Sequence, residues 1–183
     1  VNAGATFNMQ GGILETASEY YSWAVNGVGS TTTPSTINIK GGTINANAYY
    51  DARGVTSTGN INVSGGTINA TTGPMFSCTT GHQYAYGIRA CASANAKEES
   101  AYHAKLMMTG GTINANATLN YSYGVFVDAA ATTCTSRSDY ANVSSAEAVI
   151  NGGSINAISK STYAYGIYVN GGPNSYSGSA DVK

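Results

Sequence analysis

The sequence predicts an all-β fold, a parallel β-helix (β-solenoid) of about five three-sided coils with inserted loops. Three observations carry that prediction. The phrase GGTINA stands at residues 41–46, 65–70 and 110–115, with GGSINA at 152–157 and a degenerate GGILET at 11–16. Around each Gly pair, apolar and polar residues alternate with the period of two that marks half-buried strands. The column order then recurs in every repeat, which an antiparallel sandwich would not require. A unit this short cannot bury its apolar side alone, so coils must stack into a continuous core.

The first strand of each repeat precedes the Gly pair. Met9, Ile39, Val63, Met108 and Ile150 form one inward column, and Phe7, Ile37, Ile61, Leu106 and Ala148 another, with Asn8, Asn38 and Asn62 between them. The Gly pair permits a sharp corner at positive φ. The second strand follows at once, its inward column being Leu14, Ile44, Ile68, Ile113 and Ile155. By alternation the flanking Thr43, Thr67, Thr112 and Asn45, Asn69, Asn114 face outward. A third strand carries Val25, Val55, Ile88, Val125 and Ile167, preceded by Ala24, Gly54, Gly87, Gly124 and Gly166. The interval from 41 to 65 suits one uninterrupted coil, and the longer intervals place inserted loops at 71–83, 92–104 and 129–146. Residues 96–106 (AKEESAYHAKL) are the one stretch with helical character.

With its GGTINA corners and YGI strands, the chain resembles secreted bacterial right-handed parallel β-helix proteins of the pectin-lyase-like superfamily, over residues 5–170. Within that group it looks like the repetitive adhesin-like and surface-fibre proteins more than the enzymes. The resemblance implies a right-handed coil and an extracellular or cell-surface location.

Composition narrows the function classes. The chain has 183 residues, only 9% of them charged, and a net charge of −1 with no basic tract. That argues against a nucleic-acid groove or an anionic membrane surface as partner. Its apolar runs are too short for a membrane span. The chain starts without Met, and residues 179–183 (SADVK) read as the approach to another strand. One solenoid domain over 1–183 is therefore expected, as a segment of a longer repetitive chain or a self-stacking fibre subunit. Cys78, Cys91 and Cys134 leave an odd thiol and match no zinc spacing. One disulfide of undetermined pairing would staple loops and fit extracellular residence.

The start of the third strand is the most distinctive candidate site. It reads Tyr21-Ser22-Trp23, Asp51-Ala52-Arg53, Tyr84-Ala85-Tyr86, Tyr121-Ser122-Tyr123 and Tyr163-Ala164-Tyr165. Facing solvent, these aromatics would form a stripe suited to the apolar faces of sugars, with Asp51 and Arg53 binding hydroxyls or carboxylates. The competing reading is a ladder of rings that seals a corner. Strict alternation would turn Arg53 inward at high cost, so the glycine corner is expected to rotate this segment.

Other chemistry is poorly served. The Thr and Asn columns resemble the arrays of solenoid ice-binding proteins, yet Ile13, Glu15 and Ser154 interrupt them, and solvated polar ladders account for the same pattern. A pectin-lyase-like enzyme would need clustered acids for calcium or for glycoside hydrolysis. Asp51, Asp128, Asp139 and Asp181 are scattered, and His82 and His103 lie in inserted segments. No enzyme, metal or cofactor is therefore expected. The expected role is structural or adhesive, with multivalent surface contacts and end-to-end self-association. A glycan-binding module is the alternative, and a polysaccharide lyase-like enzyme and an ice-binding protein are the further ones.

Overall fold

The computed structural model describes residues 1–29, 32–73, 83–94, 103–131, 144–170 and 178–182. These form strands and connecting turns with no helix among the described residues. Every strand pairing is parallel, and the sheets curl in the manner of a solenoid.

Three rows of strands make the faces. The first row holds β1 (Thr6–Met9), β4 (Thr36–Ile39), β7 (Asn60–Val63) and the leading parts of β10 (His103–Ala117) and β12 (Ser144–Ser159), with β14 (Gly178–Val182) beyond them. The second row holds β2 (Ile13–Ala17), β5 (Thr43–Ala48), β8 (Thr67–Thr72) and the trailing parts of β10 and β12. The third row is a separate five-stranded sheet of β3 (Tyr21–Gly27), β6 (Asp51–Ser57), β9 (Tyr84–Ala94), β11 (Tyr121–Ala131) and β13 (Tyr163–Asn170).

Register follows the repeated phrase. Leu14, Ile44, Ile68, Ile113 and Ile155 lie opposite one another in turn, and so do Phe7, Ile37, Ile61, Leu106 and Ala148. Between them they fill one core with Val55, Ile88 and Val125 from the third row. Ile44, Ile68 and Ile113 are wholly buried, which at about 25 cal/mol per Å² contributes roughly 2–3 kcal/mol for each side chain. Ala48, Ala52 and Ala70 form a small cluster of their own, and Ala85, Ala115 and Ala117 another.

The two glycines of each corner do different work. The second has positive φ, from 82° at Gly66 to 98° at Gly153, where a side chain would be strained. The first approaches the neighbouring rung so closely that a Cβ on Gly65 would stand 2.5 Å from the Lys40 carbonyl oxygen. The corner carbonyls are satisfied by the next rung. Thr43, Thr67 and Thr112 donate their backbone N–H groups to the carbonyls of Gly12, Gly42 and Gly66 at 2.8–2.9 Å.

Two expectations need correction. The helical character read over 96–106 fails where the structure describes it, because 103–106 open strand β10 and pair with β12, and 105–106 pair with β7 as well. Intrinsic preference loses there to ladder hydrogen bonds on both sides. The strands also run further into the expected loops than the sequence implied, β9 and β11 each reaching 11 residues. The remainder of those loops, 74–82, 95–102 and 132–143, lies outside the described residues.

Candidate functional site

The third row presents the stripe outward, and its glycines are the reason. Before the glycine, the small residues Ser22, Ala52, Ala85 and Ser122 point inward and are buried. After it, Val25, Val55, Ile88 and Val125 point inward. Strict alternation cannot satisfy both sets, so the parity resets at the residue between them, Ala24 in the first coil and a glycine in the others. A Cβ on Gly87 would stand 2.2 Å from Ile113 Cγ2 and 2.6 Å from the Gly124 carbonyl oxygen. At Gly54, Gly87 and Gly124 the missing Cβ lets Ile68, Ile113 and Ile155 come this close. The rotation expected from the cost of an inward Arg53 is present.

Tyr21, Asp51, Tyr84, Tyr121 and Tyr163 therefore form one outward column, and Trp23, Arg53, Tyr86, Tyr123 and Tyr165 a second. Their rings stack on one another along the strand-stacking direction. Centroids lie 5.3 Å apart for Tyr84 and Tyr121, 5.6 Å for Tyr121 and Tyr163, 5.0 Å for Tyr86 and Tyr123, and 5.3 Å for Tyr123 and Tyr165. Tyr123, at the centre, also meets Phe126 and Tyr168 edge-on and is only 8% exposed. Ring faces that would receive a sugar are thus occupied by neighbouring rings. Exposure is highest at the edge strands, 64% at Tyr21 and 51% at Tyr163.

Asp51 and Arg53 fit into the ladder as a substitute step. Arg53 donates from Nε to Asp51 Oδ1 at 2.8 Å and from a terminal nitrogen to Oδ2 at 2.5 Å. Its guanidinium lies over Trp23 at 4.5 Å and over Tyr86 at 5.5 Å. The cation thus takes the place of a ring between two aromatic faces, and its charge is balanced by the almost buried carboxylate of Asp51.

A third outward column escaped the sequence reading: Arg89, Phe126 and Tyr168. Phe126 and Tyr168 stack at 5.2 Å, and Arg89 lies over both Phe126 and Tyr86. Asp128, read as scattered, accepts from Arg89 at 3.0 Å and from Asn170 Nδ2 at 3.1 Å. Alternation carried past the glycine would have found all four. Burial pushes the Tyr86 phenol up to about 12 and raises Tyr84 and Tyr123 as well, so these phenols are neutral at ordinary pH.

The polar columns are hydrogen-bonded ladders. Asn69 Nδ2 donates to Asn45 Oδ1, Asn114 to Asn69, and Asn156 to Asn114, at 2.8–2.9 Å. On the first row Asn62 donates to Asn38 and Asn38 to Asn8, until Met107 takes the next place. Asn38, Asn69 and Asn114 each spend one donor and one acceptor on their neighbours, and the end members of each column spend one or the other, which supports the polar-ladder reading of these columns.

The remaining candidates are dispersed. Cys91 is a free thiol beside Asp128, and burial raises its pKa and keeps it protonated, whereas Cys78 and Cys134 lie outside the described residues. His103 Nδ1 is hydrogen-bonded to Ser145 Oγ, and His82 and Asp139 lie outside the described residues. Among the described residues no three His, Cys, Asp or Glu side chains gather as metal ligands. Among the described residues there is no helix long and apolar enough to cross a membrane. An open groove of about 420 Å³ lies where the second row turns into the third, lined by Ala17, Ser18, Glu19, Asn47, Tyr49 and Thr71 among others. No protein-family model, curated protein or solved structure matches the chain.

Proposed function

We propose that the chain is a structural and adhesive segment of an extracellular bacterial fibre, built as a right-handed parallel β-helix of about five three-sided coils, of pectin-lyase-like ancestry. The observation that carries this reading is the continuity of side-chain ladders from rung to rung. Asparagine amides, aromatic rings and the Arg53 guanidinium all spend their interactions on neighbouring rungs, which stiffens a rod. The edge strands favour addition of further coils or copies. Ile13, Tyr21 and Trp23 are exposed at one edge and Tyr163, Ile167 and Val169 at the other. Head-to-tail stacking would set Ile167 over Val25 and Tyr163 over Tyr21, continuing each column. Weak contacts repeated along such a rod add up by avidity. Electron microscopy of the native sample tests the proposal: filaments are expected, and isolated short rods would contradict it.

A second reading, carbohydrate binding, is favoured by the groove and not by the stripe. There Tyr49 offers an aromatic wall, with Glu19, Asn47 and the hydroxyls of Ser18 and Thr71 as polar groups. Affinity electrophoresis through a panel of polysaccharides tests it. Glu19→Ala and Asn47→Ala should each abolish any retardation, and unchanged retardation in both variants rules the groove out.

A further inference from the structure

We propose that the outward tyrosine column is a site of oxidative cross-linking, in which neighbouring rungs become stapled by dityrosine bonds. Among the described residues, three pairs between rungs meet the geometric requirement. Tyr84 and Tyr121 stack at 5.3 Å and 9°, Tyr121 and Tyr163 at 5.6 Å and 25°, and Tyr20 and Tyr50 at 5.7 Å and 8°. In the first two pairs parallel strand stacking sets the phenols side by side, and in the third the bends before β3 and β6 are joined by the Tyr50 N–H donating to the Tyr20 carbonyl at 3.1 Å, so two radicals formed in any of the pairs need only a small swing of the rings to join.

The chemistry balances with a one-electron oxidant such as a peroxidase-type ferryl haem. Each phenol gives one electron to one oxidant equivalent and one proton to water. The two phenoxyl radicals form a carbon–carbon bond between their ortho positions. The hydrogens on those carbons then shift to the oxygens, restoring both phenols, so the pair has lost two hydrogens in all.

Two neighbouring arrangements sharpen the assignment. Tyr86, Tyr123 and Tyr165 are stacked as closely, but Tyr123 is buried beneath Phe126 and Tyr168 and has no room to swing. Tyr21 is the most exposed tyrosine of the stripe, yet it faces Asp51 across the register and has no phenol to join. Position in the ladder, and not exposure alone, thus selects the coupling pairs. The consequence for a rod is a covalent tie between segments far apart in sequence, placed where a pulling force would separate them.

The test oxidises the intact protein at low concentration with photo-oxidised ruthenium trisbipyridyl and persulfate, followed by peptide mass spectrometry and dityrosine fluorescence. Dityrosine is expected within single molecules, joining the peptides of Tyr84, Tyr121 and Tyr163 and those of Tyr20 and Tyr50. Tyr121→Phe, which keeps the ring stack, should remove the first set entirely and leave the Tyr20–Tyr50 product. Tyr163→Phe should leave Tyr84–Tyr121. Coupling that is only intermolecular, that centres on Tyr21, or that involves Tyr86–Tyr123 equally would overturn the proposal.

Discussion

Replacing Asn69 by Ala tests whether the asparagine column holds the rungs together. Asn69 takes part in two side-chain hydrogen bonds, donating to Asn45 and accepting from Asn114, both at 2.8 Å. Asn156, on the edge rung, donates once to Asn114 and accepts from no further asparagine among the described residues. At about 1 kcal/mol net for each bond, Asn69→Ala should cost about 2 kcal/mol and Asn156→Ala about 1 kcal/mol or less, since its site is exposed. Urea unfolding followed by circular dichroism resolves that difference. With a slope of about 2 kcal/mol/M, the midpoint falls by about 1 M in the first variant and 0.5 M in the second. A double-mutant cycle of Asn69 and Asn114 should give a coupling near the value of one bond. Equal losses at the two positions, or no coupling, would refute the argument and return the column to a solvated surface.

Burial sets a second contrast: Ile68→Ala should cost about 2–5 kcal/mol because its side chain is wholly buried, while Ile13→Ala, 76% exposed in the adjoining outward column with Thr43 and Thr67, should stay within about 0.5 kcal/mol by the same assay. Arg53→Lys should cost about 1–2 kcal/mol although the charge is kept, because lysine offers neither the paired donors to Asp51 nor a flat face for Trp23 and Tyr86; an unchanged midpoint would show the pair to be idle. Alkali should unfold the protein through its buried phenols. The Tyr86 pKa is raised from its ordinary value near 10 to about 12, so its stabilising contribution is fully present below pH 10 and is lost as pH rises toward 12. Midpoints measured from pH 9 to 12 should fall in the wild type and fall less steeply in Tyr86→Phe.

The scaffold was legible because each duty in the repeat falls on a distinct residue type. Gly66 takes the left-handed φ and Gly65 the close approach to Lys40, Ile68 fills the core, and Asn69 bonds to its neighbours. The corner, core and outward roles repeat, so the pattern exposes them, whereas the close approach at Gly65 and the amide bond of Asn69 to Asn45 show only in the structure. The stripe was legible in its membership but not in its character. Whether Tyr123 offers its faces or hides them depends on Phe126 and Tyr168, which lie beyond the glycine step where the alternation changes phase. Asp128 was read as isolated for the same reason: its partner Arg89 is adjacent only through the rung register. The groove beside Tyr49 had no signal at all, since it is made by three turns meeting side by side.

Register across distant repeats is the central claim, and disulfide trapping tests it most directly. In a background with Cys78, Cys91 and Cys134 replaced by Ser, Thr67→Cys is combined with Thr112→Cys or with Asn114→Cys. Thr67 and Thr112 are direct register partners on β8 and β10, and both are half-buried on the outward side. Parallel neighbours stand about 4.8 Å apart, within the span of a disulfide, whereas an offset of two residues widens the gap to about 8 Å, beyond the limit of about 7 Å. The account predicts rapid intramolecular bridging for the Thr67 and Thr112 pair and little for Thr67 with Asn114. Equal bridging of the two pairs, or preference for the second, would contradict it.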